Sequence, residues 1–161
     1  MDNNDVLRRL RYTFDYDDAK VIEIFAHAGA EVRRNLVVAW LKKEEDPAYQ
    51  ACNDRMLATF LNGLIIEKRG KRDGPQPKPE SHLTNNAILI KLKIALSLQT
   101  EGMQEILKLG GRELSNHELS AFFRRPGHKH YRECQDQAMR NFLSGLQEKF
   151  GPGSGDAQTQ N

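Results

Sequence analysis

The chain contains an internal repeat, and this repeat constrains the fold more than any other feature of the sequence. When the sequence is shifted by 82 positions, residues 3–69 align with residues 85–151 without a gap, and 16 of the 67 pairs are identical. The identical pairs concentrate at apolar and helix-capping positions, and they include Asn3/Asn85, Asn4/Asn86, Leu7/Leu89, Leu10/Leu92, Ile24/Ile106, Gly29/Gly111, Cys52/Cys134, Asp54/Asp136, Phe60/Phe142 and Gly63/Gly145. The pattern predicts a tandem duplication of one structural unit.

The repeat divides the chain into four segments. Repeat 1 spans residues 3–69 and repeat 2 spans residues 85–150. Between them, residues 70–84 contain three of the six prolines, which predicts an extended linker without a core of its own. Residues 151–161 contain no large apolar side chain, and we expect a disordered tail there.

Each repeat has the periodicity of a series of helices. The first helix is predicted to start at the Asn-Asn pair, where an asparagine side chain can accept a hydrogen bond from a free backbone N–H. Its apolar positions recur at helical spacing, and in the two copies they are Val6, Leu7, Leu10, Phe14 and Ile88, Leu89, Leu92, Leu96. Residues 88–98 also alternate as a strand would, but Arg8 stands where the second copy has Ile90, which favours a helix.

Three more helices are predicted in each copy. The second begins near Asp17 or Thr100 and ends at a glycine, and the third begins in repeat 2 at the capping-box pattern that starts at Ser115. The last begins at Asp54 or Asp136, and both aspartates are suited to cap it. A glycine inside this last helix in both copies, at 63 and 145, indicates a close helix crossing, because an internal glycine costs about 1 kcal/mol relative to alanine.

These elements predict an all-α protein, a tandem duplication of a four- to five-helix repeat. A repeat of this length is only marginally stable alone, since it buries about 60% of the surface of its unfolded chain. We therefore expect the two copies to pack as a pseudo-twofold bilobed unit.

Composition excludes several classes of protein. Hydrophobic residues make up 39% and charged residues 29% of the chain, which is typical of globular proteins. The longest apolar runs are too short to cross a bilayer, so no membrane association is predicted. The first ten residues lack the apolar segment of a secretory signal, and two cysteines do not form a disulfide framework. We expect a cytoplasmic protein.

Several sequence blocks resemble the YehS-like bacterial family, which has two copies of a domain of unknown function. They are NNDVLRRLRY, AWLKKEEDPAYQAC, FLNGLIIEKRGK and HKHYRECQDQAMRNFLSGL. The resemblance covers nearly all of the chain except the tail. It implies a cytosolic bacterial protein of two helical repeats, and it brings no catalytic residues with it.

Nucleic-acid binding is one predicted function. Each repeat faintly resembles a repressor-type helix-turn-helix, with matching helix ends at 40–43 and 122–125 that carry an aromatic residue and two cations. The candidate phosphate-binding residues are Arg9, Arg11, Lys42, Lys43, Lys91, Lys93, Arg124 and Arg125. Repeat 1 has a net charge of zero and repeat 2 of +3 (10 basic, 7 acidic), so an anionic partner should prefer repeat 2. The acidic residues at 44–46 and the long turn after the second helix count against this prediction.

The sequence gives little indication of a metal site or of a catalytic site. His128, His130 and Cys134 lie near one another in sequence, but their spacing is wrong for a zinc finger, so no metal and no cofactor is predicted. Cys52 and Cys134 are expected to be buried thiols. No enzyme motif is present, and no catalytic residue is assigned. The predicted protein is a non-enzymatic binding module, with nucleic acid as one partner and a protein partner or a second copy as the alternative.

Overall fold

The computed structural model describes residues 1–154, and within them it contains eight α-helices and no strand. The order of the helices is α1 Asn3–Thr13, α2 Asp18–His27, α3 Arg34–Leu41, α4 Asp54–Arg69, α5 Asn85–Ala95, α6 Thr100–Leu109, α7 Asn116–Ala121 and α8 Asp136–Phe150. Each repeat thus contributes four helices, and the predicted all-α tandem duplication is confirmed. The end of the predicted tail, residues 155–161, lies outside the described residues.

The apolar segment at 88–98, whose pattern fits both a helix and a strand, is a helix for most of its length, because α5 ends at Ala95. The predicted caps are wrong at the first and the last helix of each repeat, and Gln135 stands at the cap position of α8 without a side-chain hydrogen bond. Asp2, and not an asparagine, caps α1 and accepts from the backbone N–H of Asp5, while Thr84 caps α5. The last helix of the first repeat is capped by Asn53, one residue before Asp54. The capping box at Ser115 is confirmed.

The glycines of α4 and α8 lie at close helix crossings, as predicted. A Cβ on Gly63 would overlap the carbonyl oxygen of Ile24 on α2, and a Cβ on Gly145 would overlap that of Ile106 on α6. The second helix of each repeat therefore packs backbone to backbone against the fourth. Only glycine permits this approach.

The two repeats pack through their first and last helices, with α4 against α5 and α8 against α1. The polar contacts at these crossings come in equivalent pairs. Arg9 donates to Ser144 Oγ at 2.9 Å, and at the positions 82 residues away Lys91 donates to Asn62 Oδ1 at 2.6 Å. This exchange of roles is the signature of a pseudo-twofold axis.

A second pair of contacts has the same symmetry. The backbone N–H of Leu83 donates to Asp54 Oδ2 at 2.9 Å, and the amino group of Met1 lies 3.3 Å from Asp136 Oδ2. The side chains buried in both repeats form one continuous core. In the described residues, no helix has the length and apolar character needed to span a membrane.

Candidate nucleic-acid interface

A buried asparagine holds the loop that precedes the last helix of each repeat. In repeat 1, Asn4 Nδ2 donates to the carbonyl oxygens of Trp40 at 2.9 Å and Gln50 at 2.8 Å. Its Oδ1 accepts from the backbone N–H of Cys52 at 2.9 Å. Asn4 is buried, so these bonds satisfy backbone groups that water does not reach. We call this arrangement the asparagine clamp.

Repeat 2 has the same clamp with the same bonds. Asn86 donates to the carbonyl oxygens of Phe122 at 3.0 Å and Arg132 at 2.8 Å, and it accepts from the backbone N–H of Cys134 at 2.8 Å. The Asn-Asn pair that was expected to cap the first helix therefore lies inside its first turn and fixes a distant loop.

The preceding asparagine of each pair binds the aspartate that starts the last helix. Asn3 Nδ2 donates to Asp54 at 2.8 Å, and Asn85 donates to Asp136 at the same distance. The Asn3 side chain, followed by the backbone N–H of Leu83, holds the pKa of the Asp54 carboxyl below its usual value. Asp136 has its pKa lowered in the same way, first by Asn85. Both carboxylates are therefore occupied by hydrogen bonds within the protein that stabilise the fold.

The clamped loop forms one wall of a surface cleft in each repeat, and α3 or α7 forms the other. The clefts are equivalent under the repeat. Six lining residues of the two clefts match in position: Asn35 and His117, Val38 and Ser120, Ala39 and Ala121, Lys42 and Arg124, Ala48 and His130, and Gln50 and Arg132.

The cleft of repeat 2 has a volume of about 440 Å³ and is the richer in cations. Arg112, Arg124 and Arg132 line it, together with the carboxylates of Glu118 and Glu133. The Nε of Arg112 is buried without a hydrogen-bond partner. A guanidinium is a rigid, permanently charged fork that matches phosphate oxygens. The cleft therefore offers three such groups to an anion.

Four of the eight predicted phosphate-binding residues lie on the first helices, two on α1 and two on α5. Each of these four has a partner within the protein. Arg11 forms an ion pair of 2.9 Å with Asp18, and Lys93 lies over the ring of Phe123. Arg9 and Lys91 make the contacts between the repeats already described. The structure thus uses these cations within the protein.

The other four predicted residues follow the third helix of each repeat. Lys42 and Arg124 line the two clefts at equivalent positions. Lys43 and Arg125 are exposed beside them. The Nζ of Lys42 lies 4.0 Å from a carboxylate oxygen of Asp46. These four residues are thus brought together in two matching pairs.

The aromatic residues of the same helix ends are not available to a partner. Trp40 is 2% exposed and its ring centroid lies 5.5 Å from that of Phe25. Phe122 is buried as well. The connections between the second and third helices, 28–33 and 110–115, exceed the turn of roughly three to four residues in a helix-turn-helix.

In repeat 2 three histidine rings lie beside one another, and the thiol of Cys134 is not grouped with them. The rings of His117 and His130 are 6.3 Å apart and those of His128 and His130 are 5.5 Å apart. Cys134 is buried, and burial raises the pKa of its thiol to about 11. Its Sγ contacts the carbonyl oxygen of Gln135 at 3.8 Å and does not face the histidines as a ligand.

Within residues 1–154, one group of three potential metal ligands lies close together, and the sequence did not indicate it. Glu23 and His27 are one turn apart on α2, and Glu67 on α4 completes the group. Lys20 lies 3.0 Å from Glu23 and 3.2 Å from Glu67, and these hydrogen bonds raise its pKa. The ammonium already supplies the cation that the two carboxylates require.

Sequence reasoning missed three arginines of the clefts, Arg34, Arg112 and Arg132. They align with Asn116, Ala30 and Gln50, so none of them is a basic position shared by the two copies. A comparison of the copies finds the residues that they share, and each of these cations is present in one copy only.

The fold and the two clefts define a class of protein: a duplicated four-helix unit whose copies share one core and present equivalent clefts. The family model described as "Protein of unknown function (DUF1456)" matches residues 3–70 and 85–150, and the chain belongs to this family. It is 42% identical over 145 residues to "Uncharacterized protein YehS" of Escherichia coli (strain K12), covering 89% of this chain and 93% of that protein. The resemblance to the YehS-like family is thereby confirmed. No solved structure matches the chain.

Proposed function

We propose that the protein binds the phosphate backbone of nucleic acid through the two equivalent clefts, with the cleft of repeat 2 contributing most. The observation that carries this proposal is the position of Lys42 and Arg124, which line the same place in both clefts. Cations at matching places on a pseudo-twofold scaffold can contact two phosphates of one duplex.

The number of arginines and the ion pairs of the cations rank the two clefts. The cleft of repeat 2 is lined by three arginines, Arg112, Arg124 and Arg132, and by two glutamates. The cleft of repeat 1 is lined by Arg34 and Lys42, and both already have an acidic neighbour, Asp18 at 3.8 Å and Asp46 at 4.0 Å. Repeat 2 also carries the net charge of +3 counted above. The exposed acids at 44 and 45 follow the cleft of repeat 1 and repel phosphate there.

Binding of this kind does not use a recognition helix. The turn between the second and third helices is too long for the repressor motif, and α7 has only 6 residues. The contacts are made to the backbone, which carries no direct sequence information. We expect affinity that depends on salt and little on sequence.

The test is fluorescence anisotropy with a short labelled DNA duplex and a labelled single-stranded RNA at 50 and 200 mM salt. If three arginines each neutralise one phosphate, the fourfold rise in salt weakens binding about fortyfold, from a slope of about 0.9 per contact. Arg124→Glu should weaken binding more than Lys42→Glu.

Lys108→Glu is the matched control, because Lys108 is an exposed cation of repeat 2 outside the cleft. An equal loss in this control would show that total charge and not the cleft determines binding. Absence of binding to either probe at 50 mM salt contradicts the proposal. Light scattering would then test the alternative, a module that associates with itself or another protein.

A further inference from the structure

A cavity of about 830 Å³ lies between the two repeats, away from both clefts. The end of α2, the sides of α4 and α5 and the linker enclose it. Its walls are largely apolar, with Ile65, Ile90 and Ile94 from the helices and Pro77 and Pro79 from the linker. Binding sites for small organic molecules have volumes of roughly 300–1,000 Å³ and mostly apolar walls.

One side of the cavity is polar, and the side chains of Lys91 and Asn62 there are largely shielded from solvent. The Lys91 side chain is 12% exposed, although it carries an ammonium group. It donates to Asn62 Oδ1 at 2.6 Å and forms an ion pair of 3.1 Å with Glu80 of the linker. Asn62 is 6% exposed, and its Nδ2 has no hydrogen-bond partner.

The orientation of the Asn62 amide follows from its neighbour. A lysine ammonium can only donate, so the oxygen of the amide must face Lys91. The NH2 group is therefore the part left without an acceptor. An unpaired buried donor is uncommon in folded proteins because it costs free energy. Its presence beside a cavity points to an acceptor that a bound molecule would supply.

The linker shows which chemical group fits beside Lys91. Glu80 places a carboxylate there, and its side chain remains 40% exposed. A carboxylate that reaches the site from a surface segment can be exchanged for another carboxylate. The second oxygen of such a ligand would take the hydrogen bond from Asn62 Nδ2.

The equivalent place on the other side of the pseudo-twofold axis lacks these features. Ser144 stands at the position of Asn62, Arg8 at that of Ile90 and Tyr12 at that of Ile94. The linker joins α4 to α5 and therefore covers only one of the two grooves. The features belong to one groove of an otherwise symmetric molecule.

We propose that this cavity binds a small aliphatic carboxylate, which replaces Glu80 on Lys91, accepts a hydrogen bond from Asn62 Nδ2 and lays its hydrocarbon chain along the isoleucines. This site is independent of the clefts and of the proposed nucleic-acid binding. The ligand class follows from two donors at one end and an apolar wall along the rest.

The test is titration of the full chain with hexanoate, followed by amide chemical shifts in NMR, with hexylamine as the probe of opposite charge. Hexanoate should shift residues of α4, α5 and the linker in a saturable way, and hexylamine should not. Glu80→Gln removes the competing carboxylate, and it should tighten hexanoate binding about tenfold. Lys91→Met should weaken binding by at least tenfold.

The repeat provides a matched control. Arg9→Met removes the equivalent cation from the other groove, so it costs a similar contact and should leave hexanoate binding unchanged. The proposal is overturned if hexanoate gives no saturable shifts at millimolar concentration, or if hexylamine binds as well. It is also overturned if Glu80→Gln, which changes a linker side chain that is 40% exposed, leaves the affinity as it was.

Discussion

Replacing Asn86 by alanine tests whether the two repeats unfold as one unit. The Asn86 side chain is 4% exposed and makes three hydrogen bonds of 2.8 to 3.0 Å to backbone groups. Each such bond contributes about 1 kcal/mol net, so the variant should lose about 3 kcal/mol of unfolding free energy. Two carbonyls and one N–H lose their partners, and the loop before α8 loses its attachment.

The assay uses the only tryptophan of the chain, which lies in the other repeat. Trp40 is buried in repeat 1, so its fluorescence reports on that repeat, while far-UV circular dichroism reports on the helices of both. Because the repeats share one core, urea should unfold both signals together. With a slope of roughly 2–3 kcal/mol per M, the loss in Asn86→Ala moves both midpoints down by about 1 to 1.5 M.

Two further variants complete the test. Asn4→Ala removes the equivalent clamp and should shift the transition by the same amount, whereas Asn35→Ala removes an exposed asparagine and should change stability by no more than about 0.5 kcal/mol. If the Trp40 signal of Asn86→Ala unfolds at the wild-type urea concentration while circular dichroism shows two steps, the repeats unfold separately. The argument from a shared core would then be refuted.

Two more predictions follow from the packing. Gly145→Ala should lower stability by about 2–4 kcal/mol in urea unfolding, because its Cβ would overlap the backbone of Ile106. Gly102→Ala is the control, since its Cβ meets only a flexible leucine side chain and it should change stability little or raise it. Burial raises the pKa of Cys52 to about 12 and of Cys134 to about 11, so neither thiol should react with DTNB at pH 8 until urea unfolds the protein. Fast reaction of the native thiols at pH 8 would contradict their assignment as buried groups. The raised thiol pKa values also favour folding below pH 9, and urea unfolding should show that this stabilisation is lost as the pH rises through 11 and 12.

The order of the helices was predictable because the two repeats are two different sequences that form the same fold, and a pattern that is ambiguous in one can be compared with the other. Residues 88–98 alone fit a strand as well as a helix. The charged Arg8 in the other copy favoured a helix over a strand buried on one face, and the structure has a helix in both places. Gly63 and Gly145 indicated the helix crossings for the same reason.

The role of the Asn-Asn pair was not predictable from local sequence. An asparagine side chain can accept a hydrogen bond from a helix N-terminus or donate one to a loop, and the sequence does not distinguish these two roles. The groups that Asn4 binds lie between 36 and 48 residues further along the chain. Only the packed structure brings them to its side chain.

The candidate interface was predictable in part for a similar reason. Sequence locates positive charge but not the direction in which a helix presents it. Arg9 and Lys91 align as basic residues, and the structure uses both between the repeats. Lys42 and Arg124 align equally well, and they line the clefts. The arginine at 112 appears in one copy only, so no comparison of the copies could indicate it.

The exchange of contacts between α1, α8, α4 and α5 gives the molecule the interface of an isologous dimer contained in one polypeptide. In a true homodimer, every substitution at such an interface appears twice, and both copies must tolerate it. Fusion into one chain removes this restriction. One groove has Asn62, Lys91 and a covering linker, while its counterpart has Ser144 and Arg9. Joining the copies has thus allowed a symmetric scaffold to develop an asymmetric interior.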